Sequence, residues 1–244
     1  RAIETLRAVA VIAAEDTRHS RPLLVHHNID TPLIALHEHN ERDAVDAIVR
    51  RMQGGDAVAL ISDAGTPLIS DPGFRLVRAA RAAGIRCIPV PGACAAIAAL
   101  SVAGLPSDRF VFEGFLPPKA AARRSRLQEL ASDARTLIFY ESSHRVAESL
   151  ADMRDVFGAD REAVLARELT KLFETVLGAP LAELAARVVA DPDQQRGEHV
   201  ILVAGRGEEV DAKLAEGQRV FAILREELPP AKAAKLAAAI SGAP

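Results

Sequence analysis

The chain has 244 residues, 49% of them hydrophobic, and a formal net charge of -3 at pH 7. This composition supports one large domain or two small ones with a sizeable core, and it excludes disordered and fibrous proteins. It provides no overall positive field, so any nucleic-acid contact must come from local patches. No apolar run reaches the roughly 20 residues of a membrane span. The two cysteines lack the spacing of a disulfide framework or a zinc site. We therefore expect a soluble, cytoplasmic protein.

Short apolar runs alternate with longer Ala-, Leu- and Arg-rich segments of helical period, which is typical of an α/β fold with parallel strands. The predicted strands are Val9–Ala13, Leu33–His37, Ala57–Ser62, Arg86–Val90, Phe110–Glu113, Thr136–Tyr140, Ala163–Arg167 and His199–Val203. Two of the predicted helices have clear ends. Helix Glu41–Gln53 stops at a pair of glycines, and helix Pro72–Ala83 begins after Asp71 as N-cap, with proline in its first position.

A proline-containing stretch over residues 104–119 interrupts this alternation and predicts a hinge between two halves. We place the boundary near Gly114, which gives an N-terminal α/β domain over 1–113 and a C-terminal α/β domain over 114–225. Residues 226–244 are predicted to start a helical C-terminal tail, which Pro229 and Pro230 interrupt.

The stretch most indicative of a ligand is Ser62–Gly73, which follows a predicted strand and leads into a predicted helix. Ligands bind at that edge of open α/β sheets. Its glycines permit close backbone approach, and Asp63 offers a carboxylate. The stretch Val90–Ile97 follows the next predicted strand and has only small side chains after its Pro-Gly turn, which leaves room for a flat ligand. The alternatives are a long turn with a helix cap for the first stretch and tight packing on the sheet for the second.

Neither stretch has the pattern of a phosphate-binding loop. The chain lacks GxxxxGK[ST], and it lacks GxGxxG after the first predicted strand, which disfavours nucleoside triphosphates and NAD. Acidic and small residues without lysine or arginine favour a neutral or cationic ligand, such as the sulfonium cofactor S-adenosylmethionine.

Eight short motifs follow one another along the chain. They are Glu15–Arg18, His37–Glu41, Ser62–Gly73, Val90–Gly92, Gly114–Lys119, Phe139–Arg145, Arg167–Lys171 and Gly197–Glu198. Together they closely resemble the bacterial methyltransferases that modify the 2'-O-ribose of a cytidine in small-subunit 16S ribosomal RNA, a family of the tetrapyrrole methylase superfamily. The resemblance covers about Arg1 to Arg225. It implies two α/β domains with S-adenosylmethionine in the cleft between them, a homodimer, and a cytidine in the decoding region as substrate.

The resemblance also implies cofactor contacts in the two loops and where the second domain closes over the cofactor. These residues are Asp63, Ala64, Gly65, Thr66, Pro67, Leu68, Ile69, Pro91, Gly92, Ala95, Ala96, Tyr140, Glu198 and His199. Members of the family begin with a strand and a Gly/Pro-containing cofactor loop upstream of Arg1, and they continue beyond Pro244. We therefore expect this chain to lack that first strand and loop and the C-terminal end.

Methyl transfer to a ribose hydroxyl is an in-line displacement that needs alignment, exclusion of water and a group to accept the proton. The expected catalytic residues are Lys171, Glu168 and Glu141, with Asp16 and Arg18 as further polar groups near strand ends. We expect Lys171 either to be deprotonated by burial or to orient a substrate phosphate, with Glu168 holding it in place. A salt-bridged or capping role is the alternative for each of them.

The expected substrate-binding residues are Arg18, His37, Asn40, Lys119, Arg123, Arg124 and Arg145. Lys119, Arg123 and Arg124 begin a predicted helix and would present cations suited to RNA phosphates, although a solvated face is the alternative. His37 and His39 would share one face if both lay on a strand, but a third ligand with suitable spacing is not evident, so no metal site is predicted. Both cysteines, Cys87 and Cys94, are interpreted as small core residues.

Two other functions stay open at the level of the sequence. One is a methyltransferase of the same superfamily that acts on a corrin precursor or a protein, against which the motifs Glu15–Arg18, His37–Glu41 and Arg167–Lys171 favour RNA. The other is a non-catalytic ribosome-binding module.

Overall fold

The computed structural model describes residues 1–37 and 40–243, with the backbone alone at 208–212. The chain forms two compact units, Arg1–Ala95 and Ala96–Pro244. This division falls before the predicted boundary near Gly114, and the predicted domain limits stay a prediction. Ala96 groups with the second unit because its backbone N–H donates to the hydroxyl of Tyr140, at 3.1 Å. No helix in the described ranges is long and apolar enough to cross a membrane.

The first unit is a three-stranded parallel sheet with helices on both faces, and its strand order is β2-β1-β3. Its elements are α1 (Ala2–Ala8), β1 (Val11–Ala14), α2 (Thr17–His26), β2 (Leu33–Ala35), α3 (Glu41–Gln53), β3 (Val58–Ile61) and α4 (Phe74–Ala82). Every residue of the central strand β1 is fully buried. Ile12 packs with Leu24 of α2, and Ala13 packs with Ile48 of α3, because successive side chains point to opposite faces. The apolar run predicted here is thus a strand covered on both sides.

Of the two helices whose ends the sequence predicted, α3 has the predicted ends and α4 does not. Helix α3 occupies the predicted residues and stops at Gly54. The predicted start of the next helix is wrong, because α4 begins at Phe74 with Gly73 as N-cap, and Asp71 makes no capping bond to it. The carboxylate of Glu41 takes that place: its Oε1 accepts hydrogen bonds from the backbone N–H groups of Gly73, at 3.2 Å, and Arg75, at 2.9 Å.

The predicted strand Arg86–Val90 is not a strand in the structure. The segment has no regular structure, and its large apolar side chains are exposed, with Ile88 56% accessible. In the described part of the first unit, β3 pairs with β1 alone. A β-branched run becomes a strand only beside a hydrogen-bonding neighbour, which the local pattern does not supply.

The second unit contains a five-stranded sheet of order β4-β5-β8-β6-β7. Its elements are α5 (Ala95–Val102), β4 (Phe110–Phe115), α6 (Ala120–Leu130), β5 (Thr136–Ser142), α7 (Val146–Phe157), β6 (Glu162–Arg167), β7 (Thr175–Pro180), α8 (Leu181–Ala190), a 3-10 turn (Pro192–Gln195), β8 (Glu198–Val203), α9 (Glu208–Leu224) and α10 (Pro230–Ser241). Its core is formed by buried aliphatic residues of the sheet and of α6, α7 and α8.

The expectation of parallel strands fails in this second sheet. Only β4 and β5 run parallel, whereas β8 pairs antiparallel with both β5 and β6. Strand β7, which pairs antiparallel with β6 over Thr175–Pro180, was not predicted from the sequence. Gly178 and the terminal proline weaken its strand signal, and tertiary pairing outweighs that local preference.

Candidate functional site

Carboxylates gather where β1 and β3 end in the first unit. The two strands run parallel with Ala14 beside Ile61, so the residues that follow them lie at one edge. The backbone N–H of Asp16 donates to Asp63 Oδ1, at 3.2 Å, and the backbone N–H of Asp63 donates to Glu15 Oε2, at 3.3 Å. These reciprocal bonds fix both loops with their carboxylates side by side.

Asp71 completes this acidic edge. Burial, followed by the negative charges of Glu15 and Asp63, raises the pKa of Asp71 to about 6, against a hydrogen bond from Ser62 that lowers it. A carboxyl in that state is stabilised by a cation brought near it. The arrangement therefore supports binding of a positively charged group at this edge.

The two predicted ligand loops of the first unit lie against each other. The Thr66 hydroxyl donates to the backbone oxygen of Ala93, at 2.8 Å. A cavity of about 520 Å³ lies beside them, within the usual range of small-molecule pockets. Among its lining residues are the predicted contacts Asp63, Ala64, Gly65, Pro67, Pro91 and Gly92. The structure thus brings six of the predicted cofactor residues to one cavity, and their contact with a cofactor stays a prediction.

Three residues of the same loops have restricted backbones. Gly65 has φ +76° and tolerates this without strain, whereas Leu68 and Ser70 adopt φ +74° and +67° with side chains present. Such conformations persist only where the surroundings hold them. Ile69 contributes by donating its backbone N–H to the carbonyl of Thr66, at 3.3 Å.

Tyr140, on β5, lies among aromatic and backbone partners of the second unit. Its ring contacts Phe112 and Phe115 edge-on, with centroids 4.9 and 5.7 Å away. Its hydroxyl accepts from the Ala96 backbone at the start of α5, while Ala95 is exposed. Tyr140 therefore fixes the first turn of the helix that carries two of the predicted cofactor contacts.

Lys171 is held between two carboxylates. Its ammonium lies 3.0 Å from Glu168 Oε1 and 3.0 Å from Glu198 Oε2. Partial burial favours the neutral amine, but the hydrogen bonds to Glu168 and Glu198 outweigh it, so the pKa of Lys171 is raised. The expectation that burial deprotonates Lys171 is therefore wrong, while its expected contact with Glu168 is present.

The Glu168 carboxylate holds Lys171 and the backbone of Glu198 in place. Its Oε1 also accepts from the backbone N–H of Glu198, at 2.8 Å, and this bond and the Lys171 contact lower its pKa. A Cβ on Gly197 would lie 2.4 Å from the same oxygen, and Gly197 has φ +84°, so the position requires glycine. Glu168 itself has φ +50°. This close fit explains the Gly197-Glu198 pair in the sequence.

His199 is buried beside that segment and faces the protein interior. Its Nε2 lies 2.8 Å from the Gln194 carbonyl, and burial lowers the pKa of the imidazole. The neutral ring then donates from Nε2 to that carbonyl.

Glu141 lies near the end of β5, as expected, but its side chain is buried. It is 2% accessible, and its carboxylate accepts from the backbone of Ser142 at 2.7 Å and from the hydroxyl of Ser149 at 2.6 Å. Arg145 pairs with it at 2.7 Å and also donates to the Leu116 carbonyl at 3.2 Å. Glu141 and Arg145 form an ion pair between β5 and the N-cap of α7, and their roles in catalysis and substrate binding stay predictions.

The expected cation patch at the start of α6 is neutralised by acids. Arg123 is 2% accessible and donates to Asp152 Oδ2 at 2.6 Å. Arg124 donates to the other oxygen of Asp152, also at 2.6 Å, and Arg126 pairs with Glu113 at 2.7 Å. The substrate role expected for Arg123 is therefore wrong, since a buried side chain cannot reach a phosphate. Lys119 lies exposed at the N-cap of α6.

The remaining predicted substrate residues lie in the first unit. Arg18 is exposed and pairs with Asp16 at 2.9 Å, and its hydrogen bonds lower the pKa of Asp16 to about 2. The side-chain amide of Asn40 accepts a hydrogen bond from the His37 backbone at 2.8 Å and donates one to the Ala35 carbonyl at 3.0 Å. His39, considered above as a metal ligand, lies outside the described residues.

The two cysteines and the other potential metal ligands can be compared with the expectation that no metal site is present. Cys87 is exposed, which corrects its interpretation as a core residue, and Cys94 is half-buried. Over residues 1–37 and 40–243, no group of three or more His, Cys, Asp or Glu side chains could hold a metal ion.

Sequence reasoning missed two contributors to the acidic edge and its loop. Asp71 was interpreted as a helix cap, and Glu41 was interpreted as the start of a helix and the last residue of a family motif. The signal for Asp71 was available, because the loop contains a second aspartate eight positions after Asp63. The role of Glu41 required the tertiary structure, since its partners lie more than 30 residues away.

Two family models match the chain. One, described as Tetrapyrrole (Corrin/Porphyrin) Methylases, matches residues 1–185. The other, described as RsmI C-terminal HTH domain, matches residues 211–244, which include most of α9 and all of α10.

Several curated proteins are similar over nearly the whole chain. Ribosomal RNA small subunit methyltransferase I of Pseudomonas aeruginosa is 64% identical, over 99% of this chain and 86% of its own length. The proteins of that name from Xylella fastidiosa strain Temecula1 and Escherichia coli O157:H7 are 61% and 53% identical, over 100% and 99% of this chain and 89% and 85% of their own lengths. These matches confirm the family resemblance carried by the eight motifs.

Solved structures with lower sequence identity share the fold. Diphthine synthase aligns with a TM-score of 0.60 at 14% identity, covering 83% of this chain and 82% of its own. The methyltransferase CobJ aligns with a TM-score of 0.58 at 21% identity, covering 83% of this chain and 85% of its own. They confirm the predicted α/β fold of the tetrapyrrole methylase type.

Proposed function

Since this chain belongs to the tetrapyrrole methylase family and is a methyltransferase, we propose that it methylates the 2'-hydroxyl of a cytidine in the decoding region of 16S ribosomal RNA. The methyl donor is S-adenosylmethionine, and the substrate is the RNA within the small ribosomal subunit. The protein acts in the cytoplasm as a homodimer. The relatives named ribosomal RNA small subunit methyltransferase I support the class of substrate, and the motif resemblance supports the 2'-hydroxyl of cytidine.

The observation that carries the proposal is the acidic edge formed by Glu15, Asp63 and Asp71 beside two loops of small residues. S-adenosylmethionine brings a sulfonium and an ammonium, and carboxylates stabilise both charges. The cavity of about 520 Å³ beside these loops suits a ligand of that size. The residues present therefore fit the cofactor.

When bound, S-adenosylmethionine supplies an electrophilic methyl group. The chain's own contribution is to align the ribose oxygen with that methyl group and to exclude water. Asp63 and the backbone of residues 64–69, held by the Thr66–Ala93 bond, bind and orient the donor.

Lys171 contributes as a cation in this proposal. Its raised pKa keeps it protonated, so it orients a phosphate of the substrate and does not accept the hydroxyl proton. Glu168 and Gly197 are positioning residues, because they fix the ammonium by the 3.0 Å contact and by the close fit described above.

The test is transfer of labelled methyl from S-adenosylmethionine to small subunits from cells that lack the modification, beside naked 16S RNA and a tetrapyrrole. We expect label in the subunit, located on the ribose of a cytidine. Label in the tetrapyrrole, or no label in the subunit despite measured cofactor binding, contradicts the proposed substrate. Absence of cofactor binding contradicts the methyl-donor assignment and supports a non-catalytic module.

A further inference from the structure

The exposed face of α4 carries an uninterrupted positive charge. The helix buries Leu76 and Ala80 and exposes Arg75, Arg78 and Arg81, and Arg86 follows its end, also exposed. The chain has no aspartate or glutamate from Pro72 through Ser107. These four arginines are called the α4 arginine face.

Most of this face has no acidic partner. Arg75 reaches Glu41 at 3.7 Å, and that carboxylate already accepts two backbone hydrogen bonds. Arg78, Arg81 and Arg86 form no ion pair within the described ranges. Exposed guanidinium groups without acidic neighbours are available to an external anion.

The helix dipole does not account for the pattern. Cations stabilise the last turn of a helix, which holds Arg81, and destabilise the first turn, which holds Arg75. Neighbouring arginines three positions apart also repel one another. The arrangement therefore costs folding free energy that a bound polyanion would offset.

We propose that the α4 arginine face binds the phosphate backbone of the substrate RNA. Guanidinium groups pair with phosphate oxygens in a bidentate manner and fix position without reading sequence. The inference rests on the proposed RNA substrate, and it assigns the contact to residues that the motif resemblance does not include. Helix α4 directly follows the 62–73 loop, so RNA bound to this helix would lie on the element that continues the chain from that loop.

The test compares two triple variants of the full chain with equal change in charge. The first replaces three unpaired arginines: Arg78→Gln, Arg81→Gln and Arg86→Gln. The matched control replaces three arginines that each pair with an acid one to four residues away: Arg154→Gln, Arg187→Gln and Arg219→Gln. Arg187 and Arg219 are exposed, and Arg154 is half-buried. Affinity for a single-stranded oligoribonucleotide and for small subunits is measured over a range of salt concentrations, together with affinity for S-adenosylmethionine.

We expect the first variant to bind RNA on the order of tenfold to a hundredfold more weakly than the control at low salt. Loss of about three phosphate contacts should reduce the slope of log affinity against log salt by about 2. Its affinity for S-adenosylmethionine should equal that of the wild type, and the KM for RNA should rise with kcat unchanged. Equal RNA affinity and salt slope in the two variants overturns the inference.

Two further outcomes separate this inference from its premise. If the wild type transfers no methyl to ribosomal RNA, yet the first variant alone loses RNA binding, the proposed function fails and the RNA surface stands. If the first variant loses affinity for intact subunits but not for naked RNA, the face contacts a protein, and the RNA assignment is overturned.

Discussion

Two helices of this molecule have similar arginine content and opposite surroundings. Helix α6 carries Arg123, Arg124 and Arg126, and each of these meets a carboxylate within 2.7 Å. Helix α4 carries Arg75, Arg78 and Arg81; among the residues whose side chains are described, Arg75 has an acidic neighbour, at 3.7 Å, and the other two have none. The acids that neutralise α6 come from β4, α7 and α6 itself, whereas no acid follows α4 for a long stretch. A run of arginines therefore indicates a binding surface only when its tertiary partners are known.

The pKa values of Asp152, beside α6, and Asp71, before α4, are shifted in opposite directions. Burial raises the pKa of Asp152 beside α6, but hydrogen bonds from Arg124 and Arg123 outweigh this and leave it lowered. Asp71, just before α4, has a pKa raised to about 6 by burial and by the charges of Glu15 and Asp63. The Asp152 carboxyl is stabilised by two arginines, whereas the described neighbours that shift the pKa of Asp71 include no cation.

The largest expected effect comes from breaking the buried pair of α6. Arg123→Ala leaves Asp152, 4% accessible, without its buried partner and should lower the free energy of unfolding by about 3 kcal/mol. Arg78→Ala, on the exposed face of α4, should change it by less than about 0.5 kcal/mol. Denaturant unfolding of both variants measures the difference, and similar losses would contradict the contrast drawn between the helices.

A second experiment tests the role of Glu41, the carboxylate that Arg75 of α4 meets. Glu41 accepts from two backbone N–H groups at the end of the 62–73 loop, so acceptor position should matter more than charge. We expect Glu41→Asp, which is too short, to weaken binding of S-adenosylmethionine about tenfold, and Glu41→Gln to retain most of it.

The matched control for Glu41 is Asp43→Asn, which removes an exposed carboxylate from the same turn of α3. It should leave cofactor affinity unchanged. Retained affinity in Glu41→Asp together with loss in Glu41→Gln would show that Glu41 acts through its charge and not by positioning the loop.

The third prediction concerns pH. Because the pKa of Asp71 is about 6 in the folded protein, the carboxyl is protonated below that pH and cannot stabilise a cation. Affinity for S-adenosylmethionine should therefore fall as the pH decreases through about 6, and Asp71→Asn should remove that dependence. Titration calorimetry between pH 5 and pH 8 measures it.

The same group gives the smallest expected effect, on stability without ligand. A carboxyl whose folded pKa is raised stabilises the fold while protonated, and this contribution is lost as pH rises from its ordinary range through about 6. After allowance for solvent screening, Asp71→Asn should raise the free energy of unfolding at pH 8 by about 1 kcal/mol and leave it unchanged at pH 4. A gain of equal size at both pH values would indicate a different cause.

Local sequence rules predicted the elements that depend on local physics. Helix α3 ends at its glycines as predicted, and the fully buried strand β1 follows from an apolar run. The stretch Ser62–Gly73 could be predicted as a ligand-binding loop because glycines and a carboxylate after a strand are local features of the sequence.

Three of the errors involve partners that are distant in sequence. Residues 86–90 have the composition of a strand but no neighbouring strand in the described chain. Arg123 resembles a surface cation until Asp152, on another helix, is placed beside it. The pKa of Lys171 is raised by Glu168, three residues before it, and by Glu198, which follows it by a strand and a helix. A short stretch of sequence around each of these residues does not contain the distant partner that decides its role.

The bond between Thr66 and Ala93 has a consequence for the thermodynamics of ligand binding. It restrains the two loops before any ligand arrives, and Leu68 and Ser70 already hold their uncommon backbone conformations. Little conformational entropy is then lost on association, because folding has already removed it. The binding entropy of the first unit should thus reflect released water and the ligand's own ordering, with a small contribution from the protein backbone.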